Sequence, residues 1–115
     1  MAQEYLMRTP TSTGNRKTFT WSGWTKPIKD TDVRQGLFSS DDSGGHATLH
    51  YQDYKLWWNT ASNGYLDTSE FIQDYTAWNH ICFQVDTTQQ NAQYRVQMWL
   101  NGVQLRVDNG NSSHG

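Results

Sequence analysis

Residues 94–107 read YRVQMWLNGVQLRV, two short runs that alternate apolar and polar residues around an Asn-Gly pair. Nothing else in the chain constrains the fold as tightly. A type I′ turn needs φ > 0 at both central residues, and Asn101-Gly102 meets that need at the least steric cost. The flanking period of two is that of a strand with one face buried. Tyr94, Val96, Met98 and Leu100 fall on one face, and Val103, Leu105 and Val107 alternate as the return strand. The segment predicts a β-hairpin.

The same period recurs upstream. In 17–26 (KTFTWSGWTK), Phe19, Trp21 and Gly23 share one face, and Thr20, Ser22 and Trp24 the other. Residues 46–51 (HATLHY) and 54–59 (YKLWWN) flank Gln52-Asp53 and predict a second hairpin. Ala47, Leu49 and Tyr51 share a face in it, with His46, Thr48 and His50 opposite. In 78–86 (WNHICFQVD), Ile81, Phe83 and Val85 fall together. Segments 30–45 and 60–69 read as loops, and 70–77 (EFIQDYTA) as at most one turn of helix, which is marginal alone. Six or more short strands predict an all-β sandwich or barrel. The domain is expected over 1–107, with 108–115 (DNGNSSHG) a flexible tail. The expected core is Phe19, Trp21 or Trp24, Leu49, Trp58, Ile81, Phe83, Val85, Val96, Met98 and Leu100.

Composition agrees. The chain has 115 residues, enough for one domain with one core. Only 35% of residues are hydrophobic, but six Trp, six Tyr and four Phe supply large apolar areas. The net charge of -2 and scattered basic residues, with Arg16-Lys17 the only adjacent pair, predict no nucleic-acid partner. No apolar run approaches ~18 residues, so no membrane span is expected. The start, Met-Ala-Gln-Glu-Tyr, has neither a basic nor an apolar region of a secretory signal. Cys82 is alone, which excludes an intrachain disulfide.

Residues 17–27 (KTFTWSGWTKP), 78–88 (WNHICFQVDTT) and 94–104 (YRVQMWLNGVQ) resemble concanavalin A-like, laminin-G-like jelly-roll domains. The similarity is nearest to structural proteins of tailed phages of aquatic bacteria. The series Asp86-Thr87-Thr88-Gln89, Arg95-Val96 and Asn101-Gly102 carries it, together with Leu56-Trp57-Trp58 where the family places a "L-x-F" arm. The resemblance covers roughly residues 5–107. It implies a two-sheet antiparallel jelly-roll sandwich. The family domain usually continues beyond the Asn-Gly hairpin, so C-terminal strands are expected to be missing here, supplied by another chain, or dispensed with. The resemblance also implies a virion-surface or extracellular location for a product made in a bacterial cytoplasm without a signal peptide.

The glucanase branch of this superfamily uses paired carboxylates on one strand. The two Glu here, Glu4 and Glu70, lie far apart in sequence, so no enzyme activity is expected. Asp30-x-Asp32 and Asp41-Asp42 read as turn residues. No cofactor is required. The superfamily allows a calcium site, for which Asp41, Asp42 and Asp53 are the oxygen donors nearest the hairpin. His46 and His50 share a strand face at a separation of ~13 Å, which argues against direct joint ligation. His80 and Cys82 read as ordinary strand residues.

Trp57 and Trp58 are adjacent, so their rings point to opposite faces. The resemblance puts the parity of Leu56 and Trp58 inside. Trp57 then faces outward with Lys55 and Asn59. Two readings stay open: a sugar-stacking ring flanked by amides, or a ring covered by the second sheet or a neighbour. Trp99 has the same ambiguity beside Met98 and Leu100. The expected ligand-binding residues are Lys55, Trp57, Asn59, His50 and Trp99. Two functions remain: a lectin-like module recognising a glycan or cell-surface polysaccharide, and a virion decoration or fibre module working through assembly. For the second, the partners are other virion proteins, or further copies joined at strand edges near Tyr5-Leu6-Met7 and Val103–Val107.

Overall fold

The computed structural model describes residues 6–15, 17–28, 33–42, 45–60, 64–72, 74 and 76–109. Among them lie the strands β1 (Thr18–Thr25), β2 (Gln35–Asp42), β3 (Gly45–Gln52), β4 (Lys55–Thr60), β5 (Gly64–Thr68), β6 (Asn79–Asp86), β7 (Val96–Leu100), β8 (Val103–Leu105) and β9 (Val107–Asn109). They form a four-stranded sheet in the order β1-β6-β7-β8 and a five-stranded sheet in the order β2-β3-β4-β5-β9. All pairings are antiparallel. The fold is an all-β two-sheet sandwich of the jelly-roll kind. Among the described residues, no helix is long and apolar enough to cross a membrane.

The two hairpins form for the expected reason. Asn101 and Gly102 have φ of 50° and 82°, and Leu100 pairs with Val103 across them. The β3–β4 turn sits one residue later than expected. Gln52 pairs with Lys55, and the central residues Asp53 and Tyr54 take φ of 50° and 62°. Neither is glycine, so the turn holds two side chains in the left-handed region. Val107 departs further from expectation. The run after Gly102 breaks at Arg106, and Val107 begins a strand of the opposite sheet, paired with Thr68. This pairing continues to Asn109, two residues past the expected end of the domain.

Two strands occupy segments expected to be loops. β2 (QGLFSSDD) and β5 (GYLDT) are too polar or too short to show a period of two. β2 also carries a register shift between Gly36 and Phe38, which breaks its alternation. Among the described residues of 70–77 there is no helix.

The core lies between the sheets. Leu49, Leu56, Ile81, Phe83 and Met98 are fully buried, and Trp58 and Val85 nearly so. Phe83 joins the layers: its ring centroid lies 4.7 Å from that of Trp58 and 6.1 Å from that of Phe19. Phe19, Trp21, Val96 and Leu100 are partly buried against this cluster. Trp21, not Trp24, is the inward indole of β1. It shares parity with Phe19, and Gly23 leaves room for its ring, because a Cβ there would meet the Trp21 six-membered ring at 3.3 Å. Tyr51, Ile72 and Leu105 complete the core. The Tyr51 hydroxyl bonds the Thr25 hydroxyl across the sheets, and burial pushes its pKa up. At one end the sheets part and leave a cleft of about 1070 Å³, walled by Phe19, Phe38, Trp58, Leu66 and Val85.

Candidate functional site

Strand alternation sends Lys55, Trp57 and Asn59 to the outer face of the five-stranded sheet, as expected. The register across β3, β4 and β5 decides what surrounds them. His50 pairs with Trp57, Trp57 with Asp67, and Asn59 with both Thr48 and Tyr65. Three aromatic rings therefore form a row over three strands. The planes of His50 and Trp57 are nearly parallel, 14° apart, with centroids at 6.5 Å. Trp57 and Tyr65 follow at 5.5 Å. Trp57 points away from the second sheet, so that sheet does not cover it. Its ring is only partly exposed, and its indole N–H donates to the Gln52 carbonyl at 2.9 Å. The indole N–H is thus used within the fold, and the ring is what remains at the surface.

Charge flanks the row at one end. Lys55 Nζ lies 2.9 Å from Asp67 Oδ2 and 5.1 Å from the centre of the Phe71 ring. This pair is largely shielded, with side chains 22% and 11% exposed, so it fixes the surface more than it offers charge. The Asn59 amide makes no hydrogen bond among the described residues, leaving a donor and an acceptor beside the rings.

His50 is only 1% exposed although it points outward. Neither ring nitrogen makes a hydrogen bond of good geometry. Burial lowers its pKa, and the charge of Arg34 lowers it further; the Thr48 backbone and the Gln52 side chain oppose this more weakly. The imidazole packs behind Trp57, and its burial favours the neutral form.

Trp99 lies elsewhere. It pairs with Cys82 and Gln104 on the outer face of the four-stranded sheet, so the sandwich separates it from Trp57. The five expected ligand-binding residues split into four on one sheet and one on the other. On the second face Trp24 is 66% exposed, and its ring meets that of His80 edge-on at 5.2 Å.

The expected calcium ligands do not converge. Asp41 and Asp42 pair with His46 and Gly45 at one end of β3, while Asp53 follows β3 at its other end. Six residues of strand put ~20 Å between those ends. No group of three His, Cys, Asp or Glu side chains gathers among the described residues. Glu70 accepts from the Arg106 backbone N–H at 2.9 Å. Glu4, Tyr5, Asp30 and Asp32 fall outside the described residues, as do 110–115.

A family model described as the concanavalin A-like lectin/glucanases superfamily (Laminin_G_3) matches residues 3–113. The chain belongs to this superfamily. Comparison with curated proteins and with solved structures gives no match. Membership is compatible with carbohydrate binding and accounts for the two-sheet architecture. It does not choose between the outer faces.

Tyr65 was missed in the sequence because it sits in a segment read as a loop. The signal for Trp24 was present: it shares parity with Thr20 and Ser22, two small polar residues of an outward face.

Proposed function

We propose that this domain is a non-catalytic carbohydrate-binding module, displayed on a virion surface or fibre, that recognises a glycan or host-surface polysaccharide. The observation that carries this reading is the outward row His50–Trp57–Tyr65 with the Asn59 amide at its edge. Pyranose C–H groups stack on an indole, and amides take the ring hydroxyls. Superfamily membership supports the same reading. The contacts need no metal, so chelation with EDTA leaves affinity unchanged. A glycan array identifies the ligand, and titration calorimetry with Trp57→Ala tests the site. A tenfold or greater loss is the expected result; unchanged affinity in a folded variant refutes the site. No hydrolysis of laminarin or agarose is expected, and turnover lost in Glu70→Gln refutes the non-catalytic reading.

A second reading, assembly with other virion proteins or further copies, rests on the open cleft and its apolar walls. Among the described residues the strand edges available for pairing are those of β1, β8, β2 and β9. They differ from the expected edges: Leu6 and Met7 lie outside any strand and are exposed, and Val107 belongs to β9. Light scattering at micromolar concentration distinguishes the readings. Defined oligomers favour assembly, and a soluble monomer favours the binding module.

A further inference from the structure

The chain holds three Asn-Gly pairs, Asn63-Gly64, Asn101-Gly102 and Asn109-Gly110. An asparagine before glycine readily loses its side-chain amide, because glycine has no Cβ to shield its own backbone nitrogen. Asn63 and the side chain of Asn109 lie outside the described residues. Asn101 is exposed at the tip of the β7–β8 hairpin, with φ of 50°. Both polar atoms of its amide are nonetheless engaged. Oδ1 accepts from the His80 backbone N–H at 2.8 Å, and Nδ2 donates to Asn79 Oδ1 at 3.2 Å. The backbone N–H of Asn101 donates to the His80 carbonyl at 2.8 Å.

Asn79 gives this contact a fixed polarity. It is only 5% exposed, and its Nδ2 donates to two carbonyls, those of Asp74 at 3.3 Å and Ala77 at 3.2 Å. Turning the amide over would set its Oδ1 against both carbonyls, so Oδ1 stays toward Asn101. Position 101 must therefore present a donor. An amide does so, and a carboxylate does not. The segment that supplies the two carbonyls is itself tied: Asp74 Oδ1 accepts from the Thr76 N–H at 2.8 Å and from the Thr76 hydroxyl at 2.6 Å.

We propose that Asn101 is a fold-gated modification site, kept as an amide by Asn79 and His80 while the hairpin is closed and converted to aspartate and isoaspartate once it opens. In the conversion the Gly102 backbone nitrogen attacks Cγ of Asn101 and a C–N bond forms. The side-chain nitrogen leaves as ammonia, carrying the proton that the Gly102 nitrogen gives up. Water then opens the resulting succinimide at either carbonyl, and no redox step is involved. In the closed hairpin the amide must release His80 and Asn79 together before it can turn toward Gly102. Opening removes both restraints. After conversion a carboxylate oxygen faces Asn79 Oδ1, acceptor against acceptor. The isoaspartate form also adds a backbone atom to a two-residue turn whose geometry sets the strand register. The site thus marks a chain whose hairpin has opened.

The test is peptide mapping by mass spectrometry of the whole chain after incubation at pH 8 and 37 °C in H₂¹⁸O, folded and in urea. In urea Asn101 is expected to convert at a rate similar to Asn63 and Asn109. In the folded chain Asn101 is expected to convert at least ~tenfold more slowly than in urea. Asn79→Ala, shown to be folded by circular dichroism, is expected to raise the folded rate severalfold. Asn101→Asp, which places the product's carboxylate in the turn, is expected to melt ~4 °C or more below wild type. Equal rates for folded and unfolded wild type overturn the proposal, and that comparison needs no variant to fold. A folded Asn79→Ala that converts as slowly as wild type also overturns it, as does an Asn101→Asp chain that melts with the wild type.

Discussion

On the five-stranded sheet the outward tryptophan is held on both sides. Trp57 sits between His50 and Tyr65 on neighbouring strands, and its N–H is bonded to Gln52. On the four-stranded sheet Trp24 occupies an edge strand with one neighbour, His80, and 66% of its surface meets solvent. The same alternation of side chains turned both indoles outward. Their strand neighbours made one a fixed platform and the other an open ring. A fixed ring is already ordered and loses little freedom when a sugar lands on it. An open ring presents more area to solvent and packs less against the fold. Mutations are expected to separate the two faces by stability as well as by affinity.

The largest effect removes what both faces share. Phe83 is fully buried and touches Phe19 and Trp58. Phe83→Ala is expected to lower stability by ~3–5 kcal/mol in urea denaturation. A cost below ~1 kcal/mol would mean the sheets are not joined there. Trp57→Ala comes next, at ~2 kcal/mol, because it removes a half-buried ring and leaves the Gln52 carbonyl without its donor. Lys55→Met breaks the ion pair with Asp67 and is expected to cost ~1 kcal/mol.

Acid acts more gently, and between pH 7.5 and 5 it acts through His50 on the five-stranded sheet. Burial holds the pKa of His50 below the ordinary value of 6.5 in the folded chain. Below pH 6.5 the unfolded chain therefore takes up a proton before the folded one does. Stability contributed by the neutral imidazole is present above pH 6.5 and is lost as pH falls toward the lower folded value. Melting temperature measured from pH 7.5 to 5 should show this loss, and His50→Phe should flatten it. An unchanged profile in that variant contradicts the role given to His50. The smallest effect is on the open face: Trp24→Ala should leave stability within ~0.5 kcal/mol of wild type, since an exposed ring supports little. A cost near that of Trp57→Ala would erase the contrast between the faces.

The β3–β4 and β7–β8 hairpins and the inward set Leu49, Trp58, Ile81, Phe83 and Met98 were legible in the sequence because alternation and turn chemistry agree there. β2 and β5 were not. A register shift hides the period in one, and the other is five residues long with Asp67 in it. The departure of Val107 to the other sheet leaves no local mark, because Val103, Leu105 and Val107 keep perfect alternation across the break. The candidate site was half legible. Parity placed Lys55, Trp57 and Asn59 together, but Tyr65 arrives through β5, and pairing between distant segments is not written in either one. Sequence reasoning joined Trp99 to Trp57 because both are outward indoles, whereas sheet membership, which separates them, depends on long-range topology.

The indole N–H resonances of the six tryptophans give the most direct measurement. In ¹H–¹⁵N spectra each reports its own surroundings as a glycan identified on the array is added. The Trp57 signal is expected to shift with the array glycan. Trp21 and Trp58, which face the core, should stay in place. Shifts confined to Trp21 and Trp58, or no Trp57 shift with any sugar on the array, would contradict the assignment of the Trp57 face to carbohydrate.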